Sequence, residues 1–121
     1  MKQLLLVGIG GFAGSILRYL VHMWTQEWID QFPSGTMIVN ILGSLLIGLI
    51  IGYSIKPEQS AYAILVIGFC GGFTTFSTFA MDGIKLIRSE LWLSFATYAS
   101  VSIVGGLLAV ILGLWIGSKL A

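Results

Sequence analysis

Four long apolar runs account for most of the chain. They cover approximately residues 3–22, 34–54, 60–82 and 91–117. Each supplies the roughly 20 residues that a helix needs to cross a ~30 Å hydrocarbon core. Barrel strands would show ~10-residue stretches of alternating polarity instead, and these runs do not alternate. Lipid cannot satisfy exposed backbone, so spanning structure must be helical or a closed barrel. The runs therefore predict an all-α membrane protein, a single domain over 1–121, with four transmembrane helices embedded in a lipid bilayer. Charge agrees: 9% of the 121 residues are charged and 57% are hydrophobic, against roughly 25% charged in a soluble domain. No nucleic-acid partner is expected. The opening "MKQLLLVGIGGFAGS" has the lysine, apolar core and small residues of a signal peptide. Its run continues past Tyr19, however, and reads better as the first span.

The loops carry no net directional signal. With four spans, the N-terminus, second loop and C-terminus share one side, bearing Lys2, Lys56 and Lys119. The other side has Lys85 and Arg88 in the third loop and Arg18 near the end of the first span. Orientation normally follows an excess of Lys and Arg on the cytoplasmic side, and here the two sides balance. The expectation is a dual-topology chain that inserts both ways up. The alternative is a fixed orientation in which Arg18 counts weakly. Trp24, Trp28 and Trp92 fall on one side and Tyr53, Tyr62 and Trp115 near the other, as in aromatic belts at two interfaces. Cys70 is the single cysteine, which rules out an intrachain disulfide and reads as a buried thiol. The lone His22, at the end of the first span, reads as an interface residue.

Sixteen glycines need a physical reason, and their spacing gives one. The first span has Gly10 and Gly14 beside Gly11 and Ser15. The second has Ser44, Gly48 and Gly52, and the fourth Gly105, Ala109, Gly113 and Gly117. Small residues four apart make a flat strip on one helix face, and close backbone packing drives helix association where lipid offers no hydrophobic gain. Four helices enclose little volume, so a path through one copy is not expected and an oligomer, most simply a dimer, is favoured. A chain inserted both ways could form an antiparallel dimer with its two-fold axis in the membrane plane.

Inside the spans, neutral donors replace charge. Asn40 lies one helical turn past Thr36 in "TMIVNILGS"; the third span holds Thr74, Thr75, Ser77 and Thr78; the fourth holds Thr97, Tyr98, Ser100 and Ser102. A single hydroxyl commonly bonds back to the carbonyl one turn earlier. A primary amide cannot satisfy itself on its own helix, so Asn40 requires water or a partner on another helix. The stretch "GFCGGFTTFSTF", residues 68–79, is the most unusual. Gly71-Gly72 weakens the helix and Thr74-Thr75 adds competing side-chain bonds, so the third helix is expected to break near Gly71–Thr75. Irregular backbone at membrane depth survives only where protein or a wet cavity satisfies it. Carbonyls freed at such a break can hold a cation without any carboxylate. Phe76 and Phe79, three apart, share a helix face. Their positive ring edges suit a small anion, and core packing is the competing reading.

With "AMD" following it, "GFCGGFTTFSTF" resembles the signature of the small fluoride channels called Fluc or CrcB. "GGFAGSILRY" and "GTMIVNILGS" support the resemblance, which extends over essentially the whole chain. It implies a fluoride-selective channel of a bacterial inner membrane, an antiparallel homodimer with dual topology and two pores. By the same resemblance Phe76 and Phe79 are the pore-facing pair, and Asn40 lines the pore with Thr36 on its face. Ser77 and Thr78 complete the motif, and Tyr98 and Ser102 continue a polar track. Arg18 belongs to a vestibule, and the carbonyls of Gly71 and Thr74 hold a central structural Na+. Asp82 stands where the family pattern leads one to expect Glu.

Two other classes compete. A small dual-topology multidrug exporter would share the size and span count, but a proton-coupled carrier needs a deep carboxylate, and the interiors of the first, second and fourth runs have none. A purely structural subunit would not need the polar face. An enzyme is not expected, since no nucleophile–base set or carboxylate pair lies at depth.

Overall fold

The computed structural model describes residues 1–26 and 31–121. Four segments are long and apolar enough to cross a membrane: Lys2–Thr25, Ser34–Gly52, Tyr62–Arg88 and Trp92–Leu120. The first, second and fourth are unbroken helices, α1 (Lys2–Thr25), α2 (Ser34–Gly52) and α5 (Trp92–Leu120). The third is composite. It opens as a π-helix over Tyr62–Cys70, continues as the single turn α3 (Gly71–Phe73), passes through two extended residues, and resumes as α4 (Phe76–Arg88). The protein is thus a multi-pass, all-helical membrane protein.

Glycine faces set how closely these helices approach. On α1, a Cβ at Gly10 or Gly14 would strike the backbone of Ile64 or of Phe69. In return a Cβ at Gly68 would lie 2.6 Å from the Val7 carbonyl oxygen, and one at Gly72 2.6 Å from that of Gly11. The α2–α5 pair is built the same way. Gly48 and Gly52 face Val110 and Leu114, while Gly113 and Gly117 face Leu45 and Leu49. Each contact is backbone against backbone, the close approach that drives association in lipid. Outward, α1 and α5 present large apolar side chains such as Phe12, Leu93 and Ile111. In a soluble protein this would be an aggregation hazard; here it is the lipid-facing or partner-facing surface. Trp24, Tyr53, Trp92 and Trp115 are exposed near the helix ends; Trp28 lies outside the described residues.

Three expectations need correction. The Gly71-Gly72 pair does not itself interrupt the helix, because both residues are helical. Gly72 is small because it packs on Gly11, and the extended residues are Thr74 (φ −88°, ψ 159°) and Thr75 (φ −151°, ψ 117°). The third span does not stop at residue 82 but runs to Arg88. Lys85 and Arg88 accordingly belong to the last turns of α4 rather than to a loop, where cations favour the negative helix end. Asp82 then sits mid-helix, its side chain only 14% exposed.

The packing account predicts a contrast between two glycines. Gly72→Ala should destabilise the protein by about 1–3 kcal/mol, the usual cost of overpacking. Gly8→Ala, at a position with no heavy atom within 4 Å of the added Cβ, should be neutral or slightly stabilising. Thermal unfolding of the two purified variants, followed by circular dichroism, checks the difference.

Candidate functional site

The extended pair Thr74-Thr75 is held by a side chain from another helix. Asn40, on α2, donates from Nδ2 to the Thr75 carbonyl (3.0 Å) and accepts at Oδ1 from the Thr75 N–H (2.7 Å). Both ends of one amide are thereby spent on one residue's backbone. A continuous helix would send the Thr75 N–H to the Gly71 carbonyl; here Asn40 takes it. Thr75 is buried and serves as the N-cap of α4. Its Oγ1 accepts from the Thr78 N–H (3.2 Å) and donates to Thr78 Oγ1 (3.0 Å), with Ser77 Oγ 3.4 Å away. The Thr78 N–H would otherwise close on the Thr74 carbonyl. So the carbonyls of Gly71 and Thr74 both have their regular helical donor engaged elsewhere. These are the two positions named from the sequence as a cation site. Among the described residues no cluster of three His, Cys, Asp or Glu side chains offers an alternative. Two backbone oxygens without their helical donors are ligands of the kind that a hard cation takes.

Asn40, Gly71, Thr74, Thr75 and Phe76 line a groove of about 380 Å³, shared with Gly43 and Ser44. Ser44 and Thr74 bond back one turn, to the Asn40 and Cys70 carbonyls (2.7 and 2.9 Å), the common fate of a helical hydroxyl. Phe76 stands at the groove edge, 80% exposed. Its ring centroid lies 5.8 Å from that of Phe79, and Phe79 in turn lies 5.2 Å from Tyr98 on α5. The three rings make a continuous aromatic track along one side of α4.

A second, wider cavity of about 960 Å³ opens beyond Thr78, at the junction of α1, α2 and α4. At its base is a hydrogen-bonded cluster. Thr36 Oγ1, in a side chain 1% exposed, donates to Asp82 Oδ2 at 2.7 Å. The buried Tyr98 hydroxyl donates to the same oxygen at 3.4 Å. His22 Nε2 lies 3.1 Å from Thr36 Oγ1, and His22 Nδ1 lies 2.8 Å from the Arg18 carbonyl. The Lys85 ammonium is 4.0 Å from Asp82 Oδ1. Thr36 and Asn40, one turn apart on α2, thus belong to the two cavities in turn, with Thr78 and the aromatic track between them.

Most of the sequence-derived residues come together on this path. Gly71, Thr74, Asn40 and Phe76 border the groove; Thr36 and Thr78 border the wider cavity. Ser77 is exposed at the start of α4. Ser102, one turn beyond Tyr98 on α5, has its Oγ enclosed and without a hydrogen-bond partner among the described residues. The Arg18 side chain lines neither cavity; only its carbonyl reaches the site, through His22. His22, expected at the interface, instead joins the cluster, and Asp82, which stands where the family pattern has Glu, is given its partners by the structure. Once α4 is known to run to Arg88, Asp82 lies one turn past Thr78 on the cavity side, which is the spacing that could have revealed it.

The chain matches the family described as "CrcB-like protein, Camphor Resistance (CrcB)" over residues 5–114. Among curated proteins it is 46% identical to the "Fluoride-specific ion channel FluC" of Phocaeicola vulgatus, covering 95% of this chain and 98% of that protein. A protein of the same name from Chlorobium chlorochromatii is 44% identical over 93% of this chain and 89% of its own. One from Chloroflexus aurantiacus is 40% identical over 97% and 96%.

The clamp has a measurable consequence. Asn40→Ala leaves a buried N–H and a carbonyl at Thr75 without partners, at about 1–3 kcal/mol for each orphaned group. Thr75→Val, which removes only the cap, should cost about 1 kcal/mol. Equilibrium unfolding should rank Asn40→Ala as the more damaging, and hydrogen exchange should rise around residues 74–78 in that variant.

Proposed function

Since the chain belongs to the CrcB family, we propose that it is a fluoride-selective channel, not an enzyme, that lets fluoride leave the bacterial cytoplasm across the inner membrane. The observation that carries this reading is the polar and aromatic path from the Thr36 cavity, where Lys85 stands beside Asp82, to the Asn40 groove, whose lining holds donors and a ring edge but no lysine among the described residues. Fluoride is small and strongly hydrated, and a bare anion in a low-dielectric interior costs tens of kcal/mol. A pore must replace its water with closely placed donors, yet bind weakly enough for release. Hydroxyls at Ser77, Thr78 and Ser102, the remaining N–H of Asn40, and the edges of Phe76 and Phe79 meet both demands, while Thr36 and Tyr98 continue the polar track with their hydroxyls turned to Asp82. No pump is needed, because an inside-negative potential drives an anion outward with about 2.3 kcal/mol per 100 mV.

In this reading the functional unit is an antiparallel homodimer of chains inserted in both orientations, with two pores. Three features support it: the balanced Lys and Arg count, the exposed Phe76 that has no neighbouring helix on its open side, and a groove too open in one chain to exclude water or lipid. The carbonyls of Gly71 and Thr74 hold a structural Na+ where two such chains meet. When bound it supplies fixed positive charge near the path, favouring anions over a purely neutral lining. The multidrug-exporter alternative is not favoured, since the family and the relatives' names point to a fluoride channel.

Two variants test the path. Asn40→Asp places a fixed negative charge beside it and sets carboxylate oxygen against the Thr75 carbonyl. Fluoride efflux from proteoliposomes should fall to the protein-free level; unchanged efflux would remove Asn40 from the path. Phe79→Ile keeps bulk and loses the ring edge, so efflux should drop at least tenfold while size-exclusion behaviour is retained. Normal efflux in that variant would make Phe79 a packing residue.

A further inference from the structure

Gly43 is unlike the two glycines that follow it on α2. Gly48 and Gly52 lie against the backbone of α5, as helix-packing glycines do. Gly43 is buried and lines the groove one turn past Asn40. A Cβ there would strike a side-chain atom, the Thr74 methyl Cγ2. After that methyl the nearest atom is Phe73 Cδ1, at 3.4 Å, which is ordinary van der Waals contact. The bare Cα of Gly43 therefore makes room for one methyl group, on the first extended residue of the third span.

Thr74 has little freedom to give way. Its Oγ1 donates to the Cys70 carbonyl at 2.9 Å, and its N–H donates to the same oxygen at 3.0 Å. A β-branched side chain is stiff at χ1. Turning χ1 to move the methyl would break the hydroxyl bond, and keeping χ1 would move the Thr74 backbone. That backbone carries the carbonyl in question. The Thr74 carbonyl shares one peptide plane with the Thr75 N–H, which Asn40 Oδ1 accepts at 2.7 Å. In a trans plane the two groups point opposite ways. Asn40 thus holds the far edge of the plane, and the side chain seated on Gly43 holds its Thr74 end.

We infer that Gly43 is a positioning residue: it seats the Thr74 methyl and so, with the Asn40 clamp, fixes the direction of the Thr74 carbonyl. On the proposed reading, in which that carbonyl holds a structural Na+ beside the fluoride path, Gly43 governs the geometry of the cation without touching it. The contact is one methyl deep, which makes it exchangeable. Gly43→Ala adds a methyl where the Thr74 methyl stands. Thr74→Ser removes that methyl and keeps the hydroxyl that bonds to Cys70. Together they pass one methyl across the contact, a volume-conserving exchange of the kind that packed interiors tolerate. Gly43→Ala should therefore matter only while residue 74 is threonine.

Thr74-Thr75 is the single Thr-Thr pair in the chain. Threonine labelled with ¹³C at the carbonyl and with ¹⁵N thus isolates this one peptide unit by magnetic resonance. In phospholipid vesicles without Na+, Gly43→Ala should displace the Thr74 carbonyl resonance. With serine labelled as well, Thr74→Ser and Gly43→Ala/Thr74→Ser should give coincident signals for the same unit; Ser77-Thr78, the other Ser-Thr pair, is assigned from the wild type. An unmoved carbonyl in Gly43→Ala, or an equal displacement in the serine background, would overturn the inference. If Gly43→Ala does not fold, a folded Gly43→Ala/Thr74→Ser protein supports the seat and an unfolded one overturns it. Fluoride efflux should fall about tenfold on Gly43→Ala in the threonine background, a usual coupling between touching residues. In the serine background the same change should cost less than about twofold. Adding Na+ should move the wild-type Thr74 carbonyl. No movement would sink the cation site alone, and no wild-type efflux the channel reading alone, since the sodium-free spectra decide the seat independently.

Discussion

The two hydrogen bonds from Asn40 to the backbone of Thr75 hold the site together. A helix interrupted at membrane depth leaves polar backbone with no water to satisfy it. Asn40 resolves this for the N–H and carbonyl of Thr75 with one side chain, and Thr75 in turn caps α4. The interruption then becomes stable enough to be a feature rather than a fault. It frees the carbonyls of Gly71 and Thr74 from their usual donors. It also sets the phase of α4, so that Phe76 and Phe79 line one side while Asp82 meets Thr36 and Tyr98.

The spans were legible because membrane length and apolarity leave few choices. The glycine strips were also legible: Gly48 and Gly52 on α2 and Gly113 and Gly117 on α5 do meet backbone to backbone, whereas Gly105 faces the Ile41 side chain. Less legible was the position of the irregular backbone. Gly71-Gly72 looks like the weak point from propensity alone, yet glycine serves a helix well when another helix must come close, as Gly11 does to Gly72. The decisive residues were two threonines whose extended geometry depends on an asparagine 35 positions away. The π-helical start of the third span, Tyr62–Cys70, has no residue signature that the sequence reading could use. The partnership of His22 and Asp82 was not legible for a related reason: each lies near the edge of its apolar run until the true helix ends and the Thr36 contact bring them together.

In the proposed channel, the groove solves an electrostatic problem with neutral groups. A lysine or arginine in the lining would hold an anion strongly; an unlined apolar pore would exclude it. Hydroxyls, one amide and three aromatic rings occupy the ground between. The formal charges lie toward the wider cavity, where the Lys85 ammonium is 4.0 Å from Asp82. In the proposed channel, fixed charge there governs approach and neutral donors govern passage, a division under which Asp82 is compatible with an anion path.

The most direct test of the account is ion efflux from liposomes containing only the purified protein, with fluoride and chloride measured in parallel. Donors spaced to replace the water of the smaller ion should release fluoride rapidly and retain chloride. Comparable loss of both ions, or retention of both, would contradict the account and reduce the Asn40–Thr75 clamp to a packing device.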